Sequence, residues 1–256
     1  MIRKLAFAGF ALFGCAIPAV AAIGQSATEW VSKGNAAFDA RDAAGAVAAY
    51  EKAIVADPNN YEALWRISRS EVDLAVRESD TDKRPALYKA AQDAAARAVA
   101  VNPGGADGHF VLAEALGRMA QTLGSRDRVK YASRVRDQAL DCLKIDPKHA
   151  GCLHVMGVWN AEIMRLNGLT RMIARNFLGG QVFGEASWAN ARRYLEEAVA
   201  NEPRRIVHRL DLARVYADIG MKAQARTEYE SVISGEVIDY NDPLYKTQAA
   251  AELAKL

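Results

Sequence analysis

Four times the chain runs an alanine-rich stretch into a proline. The segments are KAIVADP, RAVAVNP, DCLKIDP and EAVANEP, closing at Pro58, Pro103, Pro147 and Pro203. Proline lacks the amide that would continue a helix, and it pushes the residue before it out of helical geometry. Each segment is therefore the end of a helix. A helix end that returns in this way marks a repeat architecture, built from units too small to bury a core alone and stacked on their neighbours. Abundant alanine and sparse proline elsewhere favour helix throughout.

The first unit, WVSKGNAAFDARDAAGAVAAYEKAIVADP, carries Trp30, Gly34, Ala46, Tyr50, Ala53 and Pro58 at the spacing of the tetratricopeptide pattern. Small residues let two helices approach, and Trp30 and Tyr50 fill the volume that remains. The last unit, LARVYADIGMKAQARTEYESVI, places Leu212, Ala213, Tyr216, Gly220, Ala225 and Tyr229 in the same frame. The expected fold is all-α: a tetratricopeptide-like right-handed superhelical solenoid. The domain spans 27–256, with helical pairs near 27–60, 61–104, 105–149, 150–204 and 205–238 and a C-terminal helix near 242–254.

Successive closing prolines lie 45, 44 and 56 residues apart, whereas a standard repeat is about 34 residues. The second and third units thus have longer helices or longer loops. The fourth carries an apolar insertion within MGVWNAEIMRLNGLTRMIARNFLGG, residues 156–180. Leu169, Met172, Ile173 and Phe177 form an apolar stripe at helical spacing, with Arg171 and Arg175 off the stripe. This predicts a short basic amphipathic helix over 168–178, too short and too charged to span a bilayer. It either packs onto the solenoid or docks a partner or membrane surface.

At the N-terminus, Arg3 and Lys4 precede an apolar run from Leu5 to Ile17, and Ala19-Val20-Ala21 follows. This is the order of a secretory signal peptide, residues 1–21, and it implies a periplasmic protein. Leu12-Phe13-Gly14-Cys15 offers a rival, lipid anchoring through Cys15. The whole chain has 33 basic and 31 acidic residues; loss of the leader balances them. Such a chain has no electrostatic call for nucleic acid. After export Cys142 and Cys152 remain, flanking the turn at Asp146-Pro147. They either pair as a disulfide or pack as two small buried residues.

No nucleotide-binding glycine loop, nucleophile elbow or metalloprotease helix is present. His149, Cys152, His154 and Cys142 match no standard zinc spacing, so no metal and no cofactor is expected. The chain is read as no enzyme. The first helices of a solenoid line its concave face. Trp65, Arg69, Phe110, Glu114, Arg118, His154, Glu162 and Arg214 are placed near that groove. Aromatic rings beside Arg and Glu suit an extended peptide or an amphiphile with an anionic head. Each also has an ordinary structural reading, as a gap filler or one half of an ion pair.

Five stretches together resemble the regulator of microtubule dynamics family: LWRISRSEVDLA (64–75), AVNPGGADGHFVLAEALGRMAQTLG (99–123), LHVMGVWNAEIMRLNGLTRMIARNFLGG (153–180), FGEASWANARRYLEEAVANEP (183–203) and LDLARVYADIGMKAQA (210–225). The resemblance covers about 28–250, insertion included. It implies a tetratricopeptide-like fold with lengthened repeats. The family's animal members are linked to microtubules, mitochondria and membrane contact sites, with lipid binding suggested for one branch. The family has no agreed catalytic residues. The leader makes this chain a bacterial, exported member by expectation, with no microtubule partner. The expected function is that of a cell-envelope binding scaffold presenting a concave groove to a protein or peptide. The alternative is binding of a lipid or small amphiphile in an apolar groove under the 168–178 helix.

Overall fold

The computed structural model describes residues 26–167, 172 and 181–256. Eleven α-helices and one short 3-10 turn lie among them, with no strand. In order they are α1 (Ala27–Asp39), α2 (Ala43–Ala56), α3 (Tyr61–Arg77), α4 (Arg84–Val101), α5 (Ala106–Gln121), α6 (Ser125–Ile145), α7 (Ala150–Arg165), the 3-10 turn Gln181–Glu185, α8 (Trp188–Asn201), α9 (Ile206–Asp218), α10 (Lys222–Ser234) and α11 (Asp242–Leu253). The five pairs and the terminal helix expected from the repeat are all present.

The proline turns share one device. The residue before each proline donates its amide to the carbonyl four residues back: Asp57 to Ala53, Asn102 to Ala98, Asp146 to Cys142 and Glu202 to Ala198. In three of the four its side chain then accepts the amide two residues on. Asp57 takes Asn59 at 3.1 Å, Asn102 takes Gly104 at 3.2 Å and Asp146 takes Lys148 at 3.0 Å. A short carboxylate or amide reaches that amide without strain, which is why Asp and Asn recur there. Glu202 is a carbon longer and its carboxylate goes elsewhere. Helix starts are capped by Ser26, Asp42, Asn60, His149 and Ser187, which accept the orphan amides of the first turn.

The extra length of the second and third units went into the helices. α3 and α4 have 17 and 18 residues and α5 and α6 have 16 and 21, against 13 and 14 in α1 and α2. The polar stretch around 124–133 is therefore part of α6 rather than a loop.

Each first helix packs on its second helix, and each second helix on the next first helix. First helices of neighbouring pairs also touch, α1 with α3, α3 with α5, α5 with α7 and α7 with α9. Second helices make no comparable contact with one another among the described residues, so the stack curves with first helices inside. Close approach within a pair depends on residues without bulk. Ala46, Ala53, Ala91, Ala95, Ala98, Ala191 and Ala198 are fully buried. A methyl group on Gly34 would overlap the Tyr50 ring, and one on Gly157 would overlap Leu195.

Cys142, in the last turn of α6, and Cys152, in the first turn of α7, form a disulfide with Cα atoms 6.4 Å apart. Of the two readings that the sequence left open, the structure contains the bonded one. α7 ends at Arg165, ahead of Asn167. The amphipathic helix expected over 168–178 lies outside the described residues, and with it Leu169, Arg171, Ile173, Arg175 and Phe177. Met172 alone is described; it is helical and 49% exposed.

Gly34→Val is expected to destabilise the fold by about 1–3 kcal/mol through overpacking against Tyr50, seen as a lower urea midpoint at unchanged slope. Protein denatured without reductant should give no labelled thiol at Cys142 or Cys152, and one at each after reduction.

Candidate functional site

A cavity of about 700 Å³ occupies the concave side. α3, α5, α7 and α9 form its floor, and α6 and α11 supply side walls. What encloses it is residues 236–241, the link between α10 and α11, which crosses back to the second pair. Asp239 receives Arg69 of α3 at 3.3 Å and Arg205 at the start of α9 at 2.9 Å. Asn241 donates to Asp73 at 2.9 Å. Arg77 donates to the Tyr240 carbonyl at 3.4 Å with its guanidinium over the Tyr240 ring, and Arg41 donates to the Val237 carbonyl at 3.3 Å. The link is held in shape by Asp242, whose carboxylate accepts the amides of Ile238 and Asp239. The fifth pair is thus tied to the first two, and an open groove becomes a bowl.

One end of the bowl is apolar, built from Phe110, Val135, Val158, Trp159, Ile163 and Phe183. Trp159 donates its indole N–H to the Ala132 carbonyl at 2.8 Å and meets Phe183 edge to face at 6.0 Å. These contacts dock the 3-10 turn onto α7. Asn160, buried, accepts the Ser187 amide and fixes the start of α8. Arg136 pairs with Glu185 on the same turn.

The other end is charged. His154 Nε2 lies 3.2 Å from Asp211, and the Nδ1 atoms of His154 and His208 are 2.9 Å apart. His208 Nε2 faces Glu202 at 3.4 Å. Burial pushes His208 down to about 4, so its ring is neutral near pH 7. The neutral His208 ring can keep its proton on Nε2 for Glu202 and accept at Nδ1 from the His154 ring. Burial also acts on Asp211, but the hydrogen bond and charge of His154 and the neighbouring Arg214 outweigh it and hold this carboxylate well below its usual range. Arg214 continues the chain to Asp211 at 2.9 Å, to Gln248 at 3.0 Å and to Glu252 at 2.6 Å. Burial pushes Asp73 up to about 7, and Glu114 and Asp239 add to the shift.

Of the residues placed near the groove from sequence, the cavity wall brings together Arg69, Phe110, Glu114, Arg118, His154, Glu162 and Arg214. Glu162 and Arg214 are held in ion pairs, the former to Arg165 at 2.6 Å. Trp65 is a correction. It stands one helical turn before Arg69 on α3, but the cavity does not reach that turn. Its ring packs against the cluster containing Phe110, with the Arg66 guanidinium 4.4 Å above it. Residues not singled out from sequence are Asp73, Arg205, His208, Asp211, Asp239 and Tyr245. The one signal for them was Glu202, where the other turns have Asp or Asn; its freed carboxylate points to His208. Cys142, His149 and Cys152 bring two sulfurs and an imidazole nitrogen within 4.8 Å of one another. The sulfurs are bonded to each other, and a metal would need them as thiolates. No helix among the described residues is long and apolar enough to cross a membrane.

The family described as Regulator of microtubule dynamics protein 1-3 matches residues 30–256. The chain belongs to the regulator of microtubule dynamics family. Regulator of microtubule dynamics protein 1 of Mus musculus is 24% identical over 144 residues, 56% of this chain and 46% of the mouse protein. The Bos taurus protein of that name is 26% identical over 116 residues, 44% of this chain and 36% of its own length. The matches thus span under half of these relatives. A thermophilic tetratricopeptide-repeat protein of Thermus thermophilus superposes with a TM-score of 0.61 at 19% identity, covering 88% of this chain and 99% of that one. At this identity the likeness shows the fold, a tetratricopeptide-like solenoid.

Asp73 and His208 pull the pH dependence of stability in opposite directions. The folded state holds a proton on Asp73 that the unfolded chain releases above about pH 4. This group therefore adds stability as pH falls from 7 toward 4. His208 does the reverse. The unfolded chain protonates it below about pH 6.5 while the folded state resists to about pH 4, so stability is lost on acidification. Asp73→Asn removes the first effect and keeps the contact with Asn241. Between pH 7 and 4 the variant is expected to lose roughly 2–4 kcal/mol more than the wild type, measured by urea unfolding at a series of pH values.

Proposed function

We propose that this chain is a non-catalytic binding protein of the cell envelope, which receives a segment of a protein or peptide partner in the bowl on its concave side. The observation that carries the reading is the lining of that bowl. An apolar end lies next to a charged end, within a volume that suits a short stretch of chain or a small molecule. The charged groups are mostly tied to one another in ion pairs, as in a rigid frame, and a rigid frame loses little entropy when it binds. Export rests on the basic and apolar order of residues 1–21. α1 carries its own capping box at Ser26, beyond the expected cleavage site. The relatives are named for microtubules, which an exported chain does not meet, and balanced charge gives it no electrostatic attraction to nucleic acid.

A second reading is favoured by the apolar end. Trp159, Ile163 and Phe183 lie beside the point where the chain enters the inserted segment 168–178, whose stripe of Leu169, Met172, Ile173 and Phe177 would suit a cover over an amphiphile. The two readings predict different cargo.

A photo-crosslinking residue at Val155, inside the bowl, is expected to capture a polypeptide in cells. The same residue at Lys89, on the exposed outer face of α4, should capture none at comparable yield. Native mass spectrometry of protein purified from the envelope fraction should then show no small-molecule adduct; a lipid-sized adduct would favour the second reading. Absence of both crosslink and adduct at position 155 would refute binding in the bowl.

A further inference from the structure

The charged groups lining the bowl are almost all satisfied. Arg69 and Arg205 pair with Asp239, Asp73 accepts from Asn241, and Arg165 holds Glu162 and Asp218. Arg214 holds Asp211 and Glu252, the two histidines face Asp211 and Glu202, and Arg128 donates to the carbonyls of Ala120 and Leu123. Among the described residues, Glu114 and Arg118 are the two charged cavity-lining groups that form neither a hydrogen bond nor an ion pair. They stand four apart on α5, with Glu on the N-terminal side, the arrangement in which such pairs ordinarily close. The same arrangement does close at Glu62–Arg66, at 2.8 Å. On α5 it stays open, and both side chains line the cavity.

Unpaired charges withdrawn from bulk water are costly, and folds rarely keep them without a use. Arg118 nonetheless stays charged. Burial opposes its charge, but Tyr245, Glu114, Tyr88 and Asp211 around it together raise its pKa above the ordinary value. Tyr245 of α11 lines the same space, and its phenol oxygen also has no hydrogen-bond partner among the described residues. Phe110, one turn before Glu114 on the same stripe of α5, leads to the apolar end. Along one face of one helix there is thus an apolar surface, an anion and a cation.

We infer that the bowl recognises a zwitterion with an apolar body: Arg118 receives a carboxylate or phosphate, Glu114 receives a primary ammonium, and the apolar part lies toward Phe110 and Trp159. Tyr245 is placed to add a hydrogen bond to either charged group. This rests on the reading of the bowl as the binding site and specifies its ligand. The chemistry is shared by a short apolar peptide with free termini and by an amphiphile with an amine-and-phosphate head.

The test uses the mature protein and four probes in calorimetry: the tripeptide Leu-Leu-Leu, its N-acetyl form, its C-terminal amide, and lysophosphatidylethanolamine below its micelle concentration. The free tripeptide or the lysolipid is expected to bind, and each capped tripeptide to bind roughly tenfold or more weaker than the free one if the peptide is the ligand. Glu114→Gln should abolish the preference for the free amine and leave the preference for the free carboxylate. Arg118→Gln should do the opposite, and both should weaken the lysolipid if that is the ligand. Neither variant loses a hydrogen bond or ion pair, so both should fold, and a thermal melt of each checks this before binding is measured. If free and capped peptides bind alike, or the variants leave the preferences unchanged, the zwitterion inference is overturned while binding in the bowl stands. If no probe binds, the inference is also overturned, and crosslinking at Val155 decides separately whether the bowl is a binding site.

Discussion

Asp239 sits between two arginines that belong to different ends of the stack, Arg69 on α3 and Arg205 at the head of α9. A solenoid is held by contacts between neighbours and by itself has no reason to close. This carboxylate supplies a contact across 170 residues of sequence to Arg69. The Asn241–Asp73 and Arg77–Tyr240 contacts follow from the same crossing. Removing one partner of such a shielded charge group would leave the others without compensation, which costs far more than the pair contributes in water. The bowl, its enclosed volume and the shielding of its charges all depend on that crossing.

The same shielding divides the charged groups of the bowl into two kinds. Most are fixed by one another: the line from Glu202 through His208, His154 and Asp211 to Arg214 and Glu252 runs from the head of α9 to α11 and leaves its members little freedom. Glu114 and Arg118 are the exception, on a helix whose opposite face carries the buried Leu112 and Leu116.

Much of the fold was legible because its causes are local. The residue before each proline closes a helix through its own amide and starts the next turn through its side chain, so KAIVADP or DCLKIDP can be read within a few residues. Gly34 under Tyr50 and the buried alanines follow from the pattern alone, and the closeness of Cys142 and Cys152 follows from their places on either side of Asp146-Pro147. The candidate site was legible in part. Residues on first helices, such as Arg69, Glu114, Arg118 and His154, follow from repeat register. Trp65 shares that register and still fell outside, because the cavity stops one turn short of it, and where a cavity stops is set by neighbouring helices rather than by its own.

By itself the sequence determined the repeat, the order of helices, their capping and the family, since each depends on contacts over a handful of residues or on a pattern of them. Only the tertiary structure decided that residues 236–241 cross to α3, that Glu202 serves a histidine rather than its own turn, and that, among the described charged residues lining the bowl, Glu114 and Arg118 form neither a hydrogen bond nor an ion pair. The crossing joins side chains 168 and 170 residues apart, and His208 meets His154 from 54 residues away while its other nitrogen faces Glu202; they meet in a medium where an unpaired charge is costly, and no local pattern encodes which distant partner will arrive.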